Sequence, residues 1–468
     1  MYINGKLIET DLKFSVENPA TDEVVEEISV ANQDVALQTL SAAKAAESTW
    51  GKSTIGERVA WMNKLREACI NNENALRSAV HLETGKPWAA TEEDYQSLID
   101  SLEFYAEEVT RYAPPALLGK DDTCRHQLRY LPVGVVVAYL SWNFPLLNLG
   151  FKLGPAMASG CPVILKPSLK APLSAYLVGS LCHEIGLPAG AVNVIAGDDM
   201  EVGNFLSSSK IPQMLTLIGS INTGVKVMQA GATSIKRYSM ELGGNTPFIV
   251  LEDADLDLAA DTLCGLKYHN SGQICVAPNR VLVAKSIKQA FIDKVIERAD
   301  KVRPGFGIAS DATMGPVIDK DSRSRIHQLV EQAVAAGATL LRGGTYDAQD
   351  VGAFYPPTVL SDVNSSMEIY NEEIFGPVIS IIDFDVQDDI VAIANSTDTG
   401  LASYIFTTDI TRADAIADKL EFGEVQINGV KYGIDLPHVG IKQSGIGCDC
   451  SKYALDDYFY LTRVTRTL

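Results

Sequence analysis

Two doubly wound α/β domains are predicted by three observations. From Val133 onward short β-branched runs alternate with stretches of helical periodicity. The alternation restarts at Thr246, after a Glu-Leu-Gly-Gly turn. A chain of 468 residues, 46% hydrophobic, is also too long for a single core.

In chain order, residues 34–112 carry helical periodicity in three blocks, 34–50, 57–83 and 92–113, ended by Pro114 and Pro115. The first alternating series then runs GVVVAYL, a helix from Leu147 to Ser159, CPVILK, a helix from Leu173 to Ile185, VNVIAG, a short helix, MLTLIG and a helix from Ile221. Apolar strands joined by helices mean a parallel sheet covered on both faces. The second series runs PFIVLE, RVLVAK, a helix from Ile287 to Val302, ISIIDF and SYIFTT. Strand-like segments with exposed aromatics at 113–132 and 444–468 fit neither sheet, and such apolar edges need a partner, so they are assigned to a small β oligomerisation element.

The formal charge of −20 argues against a nucleic-acid backbone or an anionic membrane as partner. No apolar run reaches membrane-span length and the N-terminus lacks a signal-peptide pattern, so a cytoplasmic location is expected. Eight cysteines form no Cys-x-x-Cys pair; most read as reduced core thiols, and Cys448 and Cys450, one residue apart with no adjacent histidine, as packed thiols rather than metal ligands. No metal site is expected.

The chemistry is concentrated between Met240 and Arg280. Glu241 in Glu-Leu-Gly-Gly and Cys275 in Gly-Gln-x-Cys flank one strand and one helix, pairing a general-base candidate with a nucleophile candidate. A thiolate is the reactive form of Cys275, and Gly243-Gly244 permit close backbone approach of a ligand beside Glu241. The bland alternatives are a structural thiol, like Cys264, and a surface glutamate at a strand end. Asn143 follows the strand VVAYLSW, where its amide suits either an oxyanion hole shared with the Cys275 N–H or a helix cap.

These motifs, with Ser141-Trp142-Asn143-Phe144-Pro145, Lys166-Pro167-Ser168, Gly219-Ser220 with Gly224, and Glu373-Ile374-Phe375-Gly376-Pro377 in order, resemble the NAD(P)-dependent aldehyde dehydrogenase superfamily from INGK to KQSGIG. The resemblance implies a Rossmann-type cofactor domain at 1–112 and 133–242, a catalytic domain at 243–443, and the oligomerisation element at 113–132 and 444–468 joining a homodimer or homotetramer. It implies oxidation of an aldehyde to its acid. Cys275 adds to the carbonyl, Asn143 steadies the oxyanion, and Glu241 activates the water that hydrolyses the thioester, with Lys152 also placed among the catalytic residues. Retention of Glu241 favours hydrolysis over transfer of the acyl group to coenzyme A. A fold-retaining dinucleotide binder without turnover is the third reading.

No G-x-G-x-x-G is present. The resemblance instead assigns NAD or NADP to Ser141, Trp142, Lys166, Ser168, Lys170, Gly197, Gly203, Gly219, Ser220, Gly224, Leu242, Glu373 and Phe375, with the pyrophosphate at the helix N-terminus opened by Gly219-Ser220. Leu169 stands where NAD-selective members have glutamate, with Lys170 beside it, so NADP is expected to be tolerated or preferred. The substrate pocket is expected to involve Phe144, Asn148, Phe151, His269, Lys431 and His438. Histidines at two positions that are aromatic in aliphatic-aldehyde enzymes imply a polar tail, and a semialdehyde carboxylate meeting imidazoles or Lys431 is the first candidate. The arginines of succinate semialdehyde dehydrogenases are replaced by Phe151 and His269, which leaves a hydroxylated or sulfonated aldehyde open, as well as two neutral histidine walls.

Overall fold

The computed structural model describes residues 1–114 and 123–468. Two sheets dominate. The first has eight strands in the order Lys6–Leu7, Tyr2–Ile3, Val192–Val194, Val163–Pro167, Val136–Leu140, Met214–Gly219, Arg237–Leu242 and Gly445–Ile446. Its five central strands are parallel and its edges antiparallel. The runs Val136–Leu140 and Val163–Pro167 are buried along their whole length, as expected for strands covered by helices on both faces.

The second sheet has seven strands: Thr339–Arg342, Thr358–Ser361, Val378–Phe384, Arg280–Ala284, Pro247–Val250, Ala402–Phe406 and Glu424–Ile427. All pairings are parallel except the first. Only four residues separate Leu242, the end of the first sheet's seventh strand, from Pro247, the start of a central strand in the second. Glu241 therefore sits at the junction of the two lobes.

The expected helical preface holds four helices rather than three: Gln33–Ala46, Ile55–Asn71, Glu73–Thr84 and Thr91–Arg111. The second block breaks at Asn72, whose φ of −117° and ψ of 24° leave the helical region. The helix Thr91–Arg111 fixes the helix Pro145–Ser159 that follows Asn143. Two glycines allow the close approach, since a Cβ on Gly154 would meet Ser101 Oγ at 2.5 Å and one on Gly150 would meet Leu98 Cα at 3.0 Å. Asp94, paired with Lys86 at 2.8 Å, accepts from the Leu146 and Leu147 N–H groups at 3.0 and 2.8 Å, so a carboxylate from one helix satisfies the free N-terminal donors of the other.

The segment 444–468 divides. Gly445–Ile446 runs antiparallel to the Glu241 strand, pairing Gly445 with Glu241. Phe459–Thr467 instead pairs antiparallel with Cys124–Pro132 over nine positions in a two-stranded ribbon carrying exposed Leu131, Tyr460, Leu461 and Val464. Pro115 and the rest of 115–122 in the expected oligomerisation segment lie outside the described residues. Among the described residues, no helix is long and apolar enough to cross a membrane.

Candidate active site

A cavity of about 1640 Å³ opens between the lobes, lined by Asn143, Glu241, Cys275, Glu373, Glu424 and His438 among others. Cys275 is presented by a strained loop in which Asn270, Ser271 and Gly272 take φ of 46°, 56° and 71° in succession. A Cβ on Gly272 would lie 2.3 Å from the Gly376 carbonyl, so the turn tolerates only glycine there. The loop is held by buried side chains. Gln273 Oε1 accepts from the Ile318 N–H at 2.8 Å, its Nε2 donates to the Asn270 carbonyl at 3.0 Å, and Ser271 Oγ donates to the Gly315 carbonyl at 2.7 Å. Strain of this kind persists only where the surroundings over-determine it, which is common at reacting centres.

Asn143 is buried, and its Nδ2 donates to the Gln273 carbonyl at 3.1 Å, two residues before Cys275. Its Oδ1 accepts from Asn148 Nδ2 at 3.2 Å, and Asn148 also donates to the Ser141 carbonyl at 3.1 Å. The Asn148 amide, expected to face substrate, thus orients Asn143. Asn143 makes no side-chain cap on the helix Pro145–Ser159.

Glu241 and Cys275 meet through His438. His438 Nε2 lies 3.1 Å from Glu241 Oε1 and 3.9 Å from Cys275 Sγ, and Nδ1 lies 2.5 Å from Glu424 Oε1. Burial by itself lowers the imidazole's proton affinity, but its contacts with Cys275, Glu241 and Glu424 raise it well above the usual value. With both ring nitrogens protonated, the imidazolium donates to a carboxylate on each side. Burial pushes the Cys275 thiol up to about 12, the Glu241 charge adds to the rise, and the His438 contact opposes it. Glu241 is further fixed through its strand. The Leu242 N–H donates to the Ser444 carbonyl at 2.9 Å, and buried Ser444 Oγ donates to the Gly243 carbonyl at 2.9 Å.

Lys152, expected among the catalytic residues, does not line the cavity. Its ammonium lies 2.6 Å from both Asp449 oxygens in a pair that is 0% and 4% exposed. Asp449 in turn exchanges two backbone hydrogen bonds with His438, at 2.8 and 2.9 Å. Lys152 therefore anchors the segment that carries His438.

On the cofactor side, Gly219, Ser220, Ile221 and Asn222 line the cavity at the N-terminus of the helix Ile221–Gly231, and Ser220 Oγ caps it by accepting from the Thr223 N–H at 3.2 Å. Gly224 lets this helix lie against Leu242, whose Cδ2 would be 2.8 Å from an added Cβ. Ser141, Trp142, Glu373 and Phe375 also line the cavity, with the Trp142 and Phe375 rings edge to face at 5.6 Å. Phe375 holds φ of 49°, rare for a bulky residue. Burial pushes the Glu373 carboxyl up to about 7, and a Cβ on Gly243 would strike its Oε2 at 2.2 Å. These features fit a nicotinamide ribose and a pyrophosphate: the Glu373 carboxylate, seated against Gly243 at the cavity wall, would accept from ribose hydroxyls, and the free N–H groups at the start of the helix Ile221–Gly231 would take phosphate oxygens.

The adenosine end is arranged differently. Lys166, Ser168, Lys170, Gly197 and Gly203 lie outside the cavity lining. The Lys166 ammonium is paired with Asp199, its stem packs beside Gly203, and Gly197 makes room for Val202. Ser168 Oγ accepts from the Lys170 N–H at 3.2 Å, and Lys170 Nζ is paired with Asp319 at 2.5 Å. The cation expected for a 2′-phosphate thus already has a carboxylate partner.

On the substrate side, Phe144, Phe151, His269, Lys431 and His438 line the cavity. The two histidines are not free cations, since His269 Nε2 lies 2.7 Å from Glu93 and His438 sits between two glutamates. Lys431 is exposed and makes no ion pair among the described residues. Glu424 and Asp449 carry no motif and escaped sequence reasoning, and Ser444, although inside KQSGIG, was given no role by it.

Residues 8–464 match the aldehyde dehydrogenase family. The chain is 36% identical over 99% of its length to a mitochondrial succinate-semialdehyde dehydrogenase of Arabidopsis thaliana, covering 88% of it. It is 36% identical over 98% of its length to a glutarate-semialdehyde dehydrogenase of Pseudomonas putida, covering 95% of it. The crystal structure of an E. coli NADP-dependent enzyme superposes with a TM-score of 0.97 at 33% identity, over 100% of this chain and 98% of that one. A thiol, an amide and a carboxylate converge on the wall of one cleft between the lobes, and the matches span nearly the whole chain; the chain belongs to the aldehyde dehydrogenase family and catalyses NAD(P)-dependent aldehyde oxidation.

Proposed function

We propose that this enzyme hydrolytically oxidises a small aldehyde bearing an acidic group, with Cys275 as nucleophile, Asn143 as oxyanion donor and Glu241 as general base. The observation that carries the reading is the convergence of Cys275, Asn143 and Glu241 on one stretch of cavity wall, each held by a different element. Cys275 Sγ adds to the carbonyl carbon as its proton passes by way of Glu241 to solvent, which leaves the carboxylate ionised for the later step. The Asn143 amide and the Cys275 N–H stabilise the oxyanion, an effect of about 3 kcal/mol per donor. When bound against Gly243-Gly244 and Glu373, NAD(P) supplies the hydride acceptor. Glu241 then takes a proton from the water that attacks the thioester.

An acidic tail is supported by two facts. The relatives above are named for succinate and glutarate semialdehydes, and Lys431 stands unpaired among the described residues at the cavity wall. The histidines hold the base and the wall, not the tail. NAD and NADP are both accepted in this reading. The ribbon Cys124–Pro132 with Phe459–Thr467 joins copies into a homodimer or homotetramer in the cytoplasm, its exposed Leu131, Tyr460, Leu461 and Val464 forming the contact.

The test is the initial rate of reduced-nicotinamide formation with NAD and NADP across succinate semialdehyde, glyceraldehyde, a sulfonated, an aliphatic and an aromatic aldehyde, with Cys275→Ser as blank. The acidic aldehydes are expected to win in kcat/KM by roughly a hundredfold, about 2.7 kcal/mol, and Lys431→Met to erase that margin. Equal or better rates with the aliphatic aldehyde would overturn the substrate assignment.

A further inference from the structure

Cys275 Sγ, His438 Nε2 and a Glu241 carboxylate oxygen lie within 4.8 Å of one another, facing a common space. Tetrahedral zinc takes thiolate sulfur at about 2.3 Å and imidazole nitrogen or carboxylate oxygen at about 2.0–2.2 Å, so its ligand atoms stand roughly 3.3–3.6 Å apart. The observed separations of 3.9 Å between Sγ and Nε2 and 3.1 Å between Nε2 and Oε1 bracket that spacing. The support behind the ligands is already in place. Metal-bound histidine characteristically gives its other ring N–H to a carboxylate, and His438 Nδ1 is paired with Glu424 Oε1 at 2.5 Å. The backbone of His438 is pinned to Asp449, and Asp449 to buried Lys152, so the imidazole does not have to be ordered when an ion arrives.

We propose that Cys275, His438 and Glu241 form a zinc site, with Glu424 as its outer carboxylate and one coordination position left to water, and that zinc occupying it switches the enzyme off reversibly. The Sγ and Nε2 protons pass to solvent as the ion takes those atoms. The coordination follows from the geometry alone. The inhibition rests on the functional reading above, because the ion's ligands are the nucleophile and the base of that reading. Three protein ligands with soft sulfur among them select zinc over magnesium or calcium, which require oxygen cages.

The experiment separates the two claims by measuring binding without turnover. Zn²⁺ is titrated calorimetrically into the purified full chain, and Co²⁺ is added in parallel as a spectroscopic stand-in. The expected result is one ion per chain, with a thiolate-to-cobalt charge-transfer band that Zn²⁺ displaces. Cys275→Ser should abolish that band. Glu424→Gln should weaken zinc binding by roughly 10- to 100-fold, as loss of an outer carboxylate does, and His438→Phe by more. Near-ultraviolet circular dichroism establishes that each variant is folded, and Glu424→Gln, which changes only one atom, stands in if His438→Phe is not. Zinc binding unchanged in Glu424→Gln and in folded His438→Phe, or a cobalt complex without the thiolate band, would overturn the site. Tight binding by that route with no loss of aldehyde oxidation, reversed or not by a chelator, would leave the site standing and overturn the inhibitory role together with the assignment of Cys275 and Glu241.

Discussion

Two lysine–aspartate pairs flank the cleft, and they differ in one respect. Lys152–Asp449, behind the reacting end, is buried on both sides at 0% and 4% exposure. Lys166–Asp199, at the adenosine end, has a lysine at 2% but an aspartate at 83%. Removing one partner of a fully buried pair strands a charge without water, whereas an open pair exchanges its partner for solvent or a ligand at little cost. The reacting end is therefore locked, with His438 tied to Asp449 and Asn143 tied to Asn148 and Gln273. The end that the proposed reading gives to adenosine holds a pair open to solvent at Asp199, which an incoming ribose would be able to displace.

If the reacting end is locked around one nucleophile, Cys275→Ser should cost the most, roughly 10⁴–10⁶ in kcat, measured as steady-state aldehyde oxidation. Lys152→Met leaves the Asp449 carboxylate buried and unpaired and should destabilise the protein by about 3–5 kcal/mol in denaturant unfolding, with most of the loss recovered in the Lys152→Met/Asp449→Leu double variant. Recovery is the decisive part, because it separates an ion pair from a catalytic lysine. Asn143→Ala should lower kcat by about 10²–10³ with little change in unfolding. The smallest effect is expected at the open end. Asp199→Asn frees Lys166 and removes a negative charge facing any 2′-phosphate, so the ratio of kcat/KM for NADP over NAD should rise about fivefold, equivalent to about 1 kcal/mol. A drop in stability there as large as that of Lys152→Met would erase the contrast between the two ends.

Much of this was legible in the sequence, and what was not has a common physical cause. Strands such as Val136–Leu140 and Pro247–Val250 are short, β-branched and fully buried, which marks them without tertiary knowledge. Thr339–Arg342 and Glu424–Ile427 are partly solvent-facing edge strands of mixed polarity and passed unmarked. Cys275, Glu241 and Asn143 stood out because glycines and aromatics at fixed spacing accompany them. Their partners did not: Ser444 and Asp449 reach the site through contacts with Gly243 and Lys152 that close loops of more than a hundred residues, and Glu424, though close to His438 in the chain, sits on an edge strand of mixed polarity. Lys152 misled for a local reason: it follows Phe151, and one residue turns a helical side chain by about 100°, from the cavity toward Asp449. The histidines read as anion ligands because Glu93, 176 residues from His269, and the two glutamates about His438 are invisible until the chain folds.

The central claim is that Cys275 forms an acyl-enzyme which Glu241-activated water releases. Rapid mixing of Glu241→Gln with NAD(P) and succinate semialdehyde tests it most directly. The account predicts a burst of one reduced nicotinamide per chain followed by a steady rate lowered by about 10²–10⁴, with added coenzyme A leaving that rate unchanged. Wild-type turnover in Glu241→Gln, or rescue of turnover by coenzyme A, would contradict it.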